Sequence, residues 1–196
     1  IAEGADFIIG PLGRQAIDQL VSDKRFPVPT LLIGNPTNPA SASPNVSQLG
    51  MAPEQDGVQL ARRAYAAGHR RALIIFAASD WGRRVSTATS NDWARLGGKI
   101  VAQTAVPVTG DHFTHAIRRL FHLDHSAARA AALKKVLTHR LPFKAIPRRR
   151  QDVDVIFLFC SRPQAQVINP QIDFLYGHDL PVFSTSHLYH GTQDRL

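Results

Sequence analysis

Short runs of β-branched and other apolar residues alternate along the chain with longer segments in which apolar residues recur at helical spacing. This alternation is typical of repeated strand–helix units around a parallel sheet, so the pattern predicts a Rossmann-like α/β fold. The predicted strands are 6–9, 28–33, 47–51, 72–76, 100–106, 153–160 and 180–184. The predicted helices are 14–23, 53–67, 83–96, 111–121, 127–137 and 163–176, with Pro170 expected to kink or start the last of them.

The predicted elements fall into two parallel-sheet lobes with a boundary near Gly68. Residues 1–68 supply two clear strands and are expected to form part of a first lobe, whereas residues 69–196 supply four and are expected to form a second lobe. The chain opens on Ile1 without the features of a secretory signal, and only a polar tail follows its last predicted strand. We therefore expect that sequence is missing at both ends, including part of the first lobe.

Composition favours a globular chain with a buried core. Hydrophobic residues make up 44% of the 196 residues, and chains of this size bury about 70% of their unfolded surface. The apolar runs are much shorter than the roughly 20 residues that cross a bilayer, so no membrane span is predicted. The single cysteine, Cys160, excludes an internal disulfide and a zinc site built on paired thiolates, and its apolar neighbours predict an inert core thiol.

The charge of the chain is strongly positive. A net charge of +8 and an isoelectric point near 10.4 favour polyanionic partners through long-range attraction. Much of the excess lies between residues 129 and 150, a segment that lacks the repeated aromatic residues that stack on bases. This composition favours a solvated basic face, and no nucleic acid partner is predicted.

Four common catalytic motifs with a fixed spacing are absent from the sequence. The sequence contains no G-x-S-x-G elbow, no H-E-x-x-H helix, no P-loop and no complete dinucleotide fingerprint. Ser186 and His187 are adjacent, but adjacent residues of a strand point to opposite faces, so a nucleophile and its base are not expected to meet there. Asp80 is expected to cap a helix rather than act as a base. The sequence therefore predicts a protein that is not an enzyme.

A cluster of histidines raises the question of a metal site. His112, His115, His122 and His125 fall within one short segment, and imidazole is a common zinc ligand. No carboxylate or thiolate completes a known ligand spacing around them. Neither a metal nor a cofactor is therefore predicted.

Residues that follow the predicted strands are the best candidates for binding. Ligands of open α/β sheets bind in the crevice outside the carboxyl ends of the parallel strands. A mixture of hydroxyls, amides and one aromatic side chain stands there, which suits a small polar molecule without requiring one. The candidates for a cleft between the lobes are Leu12, Gly13, Asn35, Thr37, Asn38, Ser79, Asp80, Trp81, Ser184, Thr185 and Ser186.

Several segments resemble the LppC/LpoA family, the lipoprotein activators of penicillin-binding proteins. The segment PRRRQDVDVIFL, at residues 147–158, is the most specific of them. The other segments, in the same order along the chain, are GADFIIGPL at 4–12, SDWGRRV at 79–85, WARLGG at 93–98 and LPVFSTSHLY at 180–189. The resemblance covers essentially the whole chain.

The resemblance implies both a fold and a function. The fold is that of type I periplasmic binding proteins, with an N-terminal helical-repeat domain and a return crossing to the first lobe expected outside this sequence. The implied function is that of a non-catalytic regulator, lipid-anchored in the outer membrane and facing the periplasm. It binds and activates a bifunctional class A penicillin-binding protein in peptidoglycan synthesis. The alternative is a periplasmic small-molecule receptor or transport binding protein that uses the interlobe cleft.

The block formed by Arg148, Arg149 and Arg150 has two interpretations. A basic stretch before a buried strand is usually solvated or tied to nearby carboxylates, here Asp152 and Asp154. Arginine forks also suit protein interfaces, since they pair with carboxylates through two hydrogen bonds. We therefore keep the three arginines as candidates for contact with the synthase.

Overall fold

The computed structural model describes residues 4–23, 26–34, 36, 43–50, 52–109, 113–136 and 146–188. Tertiary contacts divide the chain into two compact units, residues 1–52 and residues 53–196. Each unit contains a parallel sheet with helices packed on it, which confirms the predicted α/β class. The assignment of 1–68 and 69–196 to the two lobes of a binding protein stays a prediction.

The first unit is a small sheet covered by one helix. It contains β1 (Ile8–Leu12), α1 (Arg14–Asp23), β2 (Thr30–Ile33) and β3 (Val46–Leu49). The strands are parallel in the order β1-β2-β3, and Ile17 of α1 packs with Leu32 of β2 in the core. Strand β1 runs further than expected, to Leu12. Gly13 makes the turn into α1 with a φ of +102°, which favours glycine.

The second unit is a four-stranded parallel sheet in the order β5-β4-β6-β7. A wide turn, Asp173–Gly177, follows its last helix, and a short 3₁₀ turn, Ser186–Leu188, follows its last strand. Its elements are α2 (Pro53–Ala66), β4 (Arg71–Ala77), α3 (Asp80–Arg95), β5 (Lys99–Val106), α4 (Thr114–Leu120), α5 (Leu123–Val136), β6 (Val155–Phe159), α6 (Arg162–Ile172) and β7 (Val182–Ser184).

Helices cover both faces of this sheet. Alternate residues of a strand face opposite sides, so Leu73 of β4 packs in one core with Ile117 of α4 and Ile168 of α6. Ile74, its neighbour, packs in the other core with Trp93 of α3. Burial on both sides explains why β4 and β6 are continuous apolar runs rather than alternating ones.

Helix α2 belongs to the second unit, although it lies before the expected boundary at Gly68. The reason is its close packing against α3: a Cβ built on Gly57 would lie 2.4 Å from the Thr89 hydroxyl and 3.0 Å from the Val85 carbonyl oxygen. Within the described ranges, no helix is both long and apolar enough to cross a membrane.

Two helices differ from their predicted extents. Helix α5 begins at Leu123 rather than at residue 127, so His125 lies inside the helix and not in a connection. Helix α6 contains Pro170 in its interior, and the chain leaves the helical path at Tyr176, whose φ is +68°. Asp111, the expected cap of α4, lies outside the described residues.

Candidate functional site

The carboxyl ends of β4, β6 and β7 meet at one edge of the second unit, because all its strands are parallel. The predicted candidates Ser79–Trp81 follow β4, and Ser184–Ser186 begin at the last residue of β7, so both groups stand at this edge. The contacts of these residues show which side chains are already hydrogen-bonded within the fold and which are available to contact another molecule.

Ser79, not Asp80, is the cap of α3. The Gly82 amide donates a 3.0 Å hydrogen bond to the Ser79 hydroxyl oxygen. Asp80 is the first residue of the helix, and its exposed carboxylate pairs with Arg84 at 3.2 Å. The prediction that Asp80 caps the helix is therefore wrong by one residue. The Asp80 carboxylate contacts Arg84 and solvent instead.

The end of β7 and the residues after it are anchored to β6, α2 and α3. The Ser184 hydroxyl donates to the Leu158 carbonyl at 2.6 Å, and the Ser186 hydroxyl donates to the Asp56 carboxylate at 2.9 Å. The Trp81 and His187 rings lie 5.2 Å apart, centroid to centroid. The structure thus brings the ends of β4 and β7 together around one aromatic pair and one carboxylate.

The described residues at this edge include no activated nucleophile. Ser186 donates to a carboxylate rather than to an imidazole, and within the described ranges no serine or cysteine side chain hydrogen-bonds a histidine. Burial raises the pKa of the Cys160 thiol to about 12, so it stays protonated at neutral pH.

A groove of about 260 Å³ lies between β7 and α6. Its lining combines apolar side chains with amides, a hydroxyl and a guanidinium, a composition that suits a small molecule. The groove is lined by Leu158, Arg162, Ala165, Gln166, Asn169, Pro170, Val182, Ser184 and Leu188. The sequence had indicated only Ser184 among these residues as a candidate.

The remaining cleft candidates stay predictions. Leu12 and Gly13 belong to the first unit, where the Leu12 side chain is 78% exposed. Asn35, Thr37 and Asn38 lie outside the described residues. Each unit is described by itself, so a cleft that joins these residues to the edge of the second unit is an expectation from the resemblance.

The three arginines of the basic block have different environments. Arg149 is 8% exposed, and its guanidinium donates to the Tyr176 carbonyl at 2.8 Å and to the Asp179 carboxylate. Arg150 donates to both oxygens of Asp152, at 2.7 and 2.8 Å. Only Arg148 is exposed. Two of the three candidates are therefore bound within the fold, and one is free to meet a partner.

The carboxylates near this block differ in role as well. The hydrogen bond from Arg150 is the main reason that the pKa of Asp152 falls to about 2, although partial desolvation opposes it. Asp154 does not pair with the block, because it accepts hydrogen bonds from the Arg70 and Arg71 amides at 3.1 and 3.0 Å. Asp152 thus holds the basic segment, and Asp154 holds the start of β4.

The histidines do not form a metal centre within the described part of the chain. The His122 and His125 rings lie 5.2 Å apart, but no group of three potential ligand residues is found there. Desolvation, with the nearby Arg150 charge, lowers the pKa of His122 below its ordinary value. His112 lies outside the described residues.

Comparison with known proteins identifies the family. The family model described as "LppC putative lipoprotein" matches residues 1–195. The chain belongs to the LppC family. It is 26% identical over 196 residues to the "Penicillin-binding protein activator LpoA" of Vibrio antiquarius, covering 95% of this chain and 32% of that protein. This LppC-family chain therefore spans about a third of the length of that relative.

Solved structures show the same fold. The LpoA (YraM) C-domain from Haemophilus influenzae, described as a regulator of PBP1A, matches with a TM-score of 0.62 at 17% identity, covering 95% of this chain and 49% of that one. An ABC transporter protein from Chromobacterium violaceum, assigned to branched-chain amino acids, matches with a TM-score of 0.61 at 23% identity, covering 98% and 52%. The expected periplasmic-binding-protein-like fold of the LppC-family chain is confirmed.

Sequence reasoning missed the exposed aromatics beside Arg149. Phe174 and Tyr176 were placed in a predicted helix, yet both are exposed, whereas Leu175 between them is buried. Phe174, Leu175 and Tyr176 are three consecutive apolar residues, and consecutive residues cannot all share one face of a helix. This pattern was the available signal that the helix ends before Phe174.

Proposed function

We propose that this LppC-family protein binds and activates a bifunctional class A penicillin-binding protein during peptidoglycan synthesis. The observation that carries the proposal is the family match over residues 1–195, together with relatives named as activators of penicillin-binding proteins. The chain spans about a third of the Vibrio antiquarius relative, so the activity belongs to the full-length protein. Contacts between the regulator and the synthase would raise the activity of the synthase.

The mechanism is a shift of the synthase toward its active state. A ligand moves a two-state equilibrium only as far as its affinity differs between the two states. The regulator therefore needs a surface that complements the active synthase and no reactive side chain. The anchored hydroxyls of Ser184 and Ser186 support this interpretation, since they are bound within the fold rather than presented to a base.

The proposed location is the periplasmic face of the outer membrane. The family is one of lipoproteins, and we place the lipid anchor outside residues 1–196. Cys160 is buried in the core and is no candidate for acylation. In this setting the binding-protein-like domain faces the synthase.

Reconstitution tests the proposal directly. Full-length regulator is added to its cognate class A synthase with labelled lipid-linked precursor, and the rates of glycan polymerisation and peptide crosslinking are measured. We expect at least one rate to rise to a plateau with regulator concentration. A monofunctional glycosyltransferase serves as the control and should not respond. Unchanged rates at saturating regulator would exclude the activator function.

The groove between β7 and α6 favours one alternative function, that of a small-molecule receptor. The Chromobacterium violaceum neighbour is assigned to branched-chain amino acids, and the apolar side chains that line the groove would accept an aliphatic side chain. Calorimetric titration with leucine, isoleucine and valine tests it. Ala165→Trp, which fills the groove, should abolish any binding found. Saturable binding without an effect on the synthase would replace the activator proposal with the receptor.

A further inference from the structure

Large apolar side chains are exposed together on one surface of the second unit. A groove of about 480 Å³ separates residues 146–151 from the turn after α6. Ile146, which lines one side, is 68% exposed. Tyr176 lines the other side and is 42% exposed, and Phe174, two residues before it on the same turn, is 81% exposed. Grouped exposed side chains of this kind mark interaction sites more often than single ones do. We call residues 146–151 and 173–179 together the Arg148 surface.

A buried guanidinium holds the two sides of this surface in place. Arg149 stands on one side and donates across the groove to the Tyr176 carbonyl and the Asp179 carboxylate. On its other flank, the Arg148 amide donates to the Ser126 hydroxyl at 3.0 Å. The φ of +68° at Tyr176 is a conformation that a non-glycine residue keeps only when its surroundings hold it. The surface is thus organised before any partner arrives, which lowers the entropic cost of binding.

Among the arginine and aspartate side chains that line the groove, only Arg148 has no ion pair within the described residues, and the exposed Asp173 on the turn lies outside this lining. The charge of Arg149 is matched by Asp179 and that of Arg150 by Asp152. Arg148 is exposed, and no ion pair joins it to a carboxylate of the described residues. The groove therefore presents one unpaired guanidinium fork together with the side chains of Ile146 and Tyr176.

This composition selects the kind of partner. Arginine, tyrosine and phenylalanine are enriched in the centres of protein interfaces, and an arginine fork pairs with a carboxylate through two hydrogen bonds. Binding to an anionic membrane requires clusters of about 4–8 basic residues, more than this surface offers. The surface therefore fits a protein segment that carries a carboxylate beside apolar side chains.

We propose that the Arg148 surface docks an acidic, apolar segment of the class A penicillin-binding protein, with Arg148 as the ionic anchor and Phe174 as the apolar one. This inference rests on the proposed function, since it names the surface through which that function acts. Arg149 and Arg150 take no direct part and keep the surface in shape.

The test measures the affinity of the full-length regulator for its cognate synthase by surface-immobilised titration. Arg148→Glu should weaken binding about tenfold or more, and Phe174→Ala should weaken it several-fold, as central interface residues do. Arg148→Lys should fall between wild type and Arg148→Glu, because lysine keeps the charge but loses the fork. Arg63→Glu makes the same charge change on exposed α2 and should leave the affinity within about twofold, as interface-remote substitutions do.

The outcomes separate this inference from the proposed function. If wild type does not bind, both fail. If wild type binds and activates while Arg148→Glu and Phe174→Ala do so equally well, the function stands and the Arg148 surface is excluded. Loss of self-association with unchanged synthase binding would reassign the surface to a second copy of the chain. Circular dichroism and thermal midpoints of every variant exclude misfolding, and Phe174→Ala keeps the test valid should Arg148→Glu fail to fold.

Discussion

The two hydroxyls at the end of β7 have opposite surroundings. Ser184 donates to the Leu158 carbonyl at 2.6 Å, whereas the Thr185 hydroxyl is buried without a hydrogen-bond partner among the described residues. A buried polar atom that makes no hydrogen bond destabilises the fold, because it has lost its contact with water. The Ser184 hydroxyl therefore stabilises the fold, whereas the Thr185 hydroxyl destabilises it.

Substitutions at these two positions test that difference. Thr185→Val keeps the shape and removes the unpaired hydroxyl, so it should raise the free energy of unfolding by about 1 kcal/mol. Ser184→Ala removes a hydrogen bond and should lower it by about 1 kcal/mol. Chemical denaturation of both variants measures the changes. A Thr185→Val variant that is clearly less stable than wild type would mean that the hydroxyl has a partner in solution.

The ion pair between Arg150 and Asp152 predicts a dependence on pH. Since the hydrogen bond from Arg150 lowers the pKa of Asp152 from 3.8 to about 2, the carboxylate stabilises the fold above pH 3.8, and this contribution is lost as the pH falls through about 2. The side chain of Asp152 is 53% exposed, so screening limits the effect to about 0.5–1 kcal/mol.

Asp152→Asn tests this dependence. The variant should be less stable than wild type at pH 7, and the difference should shrink between pH 4 and pH 2. Urea denaturation at a series of pH values measures it. A difference that stays constant over this range would show that the carboxylate charge is not the cause.

Residue roles within the basic block could be predicted only in part. The sequence indicated that arginines before a buried strand are tied to carboxylates, and Arg150 with Asp152 fits that expectation. The partner of Arg149 lies on a turn 27 to 30 residues later, so no local pattern indicates it. The exposure of Arg148 also depends on tertiary packing, so no local pattern in the sequence predicts it.

At the scale of elements, the contact between α2 and α3 decides which unit α2 joins. Gly57 allows the close approach, because any Cβ there would meet the Thr89 hydroxyl at 2.4 Å. Thr89 has little freedom to move, since it is buried and donates to the Val85 carbonyl at 2.8 Å. The glycine is therefore a packing residue, although it lowers the intrinsic stability of the helix.

Gly57→Ala should lower the free energy of unfolding by about 1–3 kcal/mol, the usual cost of overpacking a filled contact. Adding Thr89→Ala removes the obstructing atom and should reduce the penalty that Gly57→Ala causes. Thr87→Ala, at an exposed position of α3, is the control and should be neutral or slightly stabilising. A Gly57→Ala variant more stable than wild type would refute close packing between the two helices.

The elements themselves were largely predictable from periodicity. Strands β4 and β6 and helices α1, α2 and α3 lie within a few residues of their predicted positions, because their apolar patterns are long and regular. The misses occur where local signals are weak. Helix α5 has little difference in apolar character between its faces, so the sequence pattern does not indicate its start at Leu123. Strand β1 continues through Gly10 and Pro11, residues that normally end a strand.

At the scale of the whole molecule, the proposed function rests on family membership rather than on any one site. The fold is shared with solute-binding proteins as well as with LpoA, so the fold alone does not select between receptor and regulator. The family match over residues 1–195, with relatives named as activators of penicillin-binding proteins, supports the proposed regulator. The predicted interlobe cleft stays a prediction, because Asn35, Thr37 and Asn38 lie outside the described residues.

The most direct measurement compares binding with activation in the same titration. Full-length regulator is titrated against its cognate class A synthase while complex formation and the rates of polymerisation and crosslinking are recorded together. If contact itself activates the synthase, the binding and rate curves should have the same midpoint, and both should shift to higher concentration as salt screens the positive charge of the regulator. Binding that leaves both rates unchanged, or a rate increase without detectable complex, would contradict this mechanism.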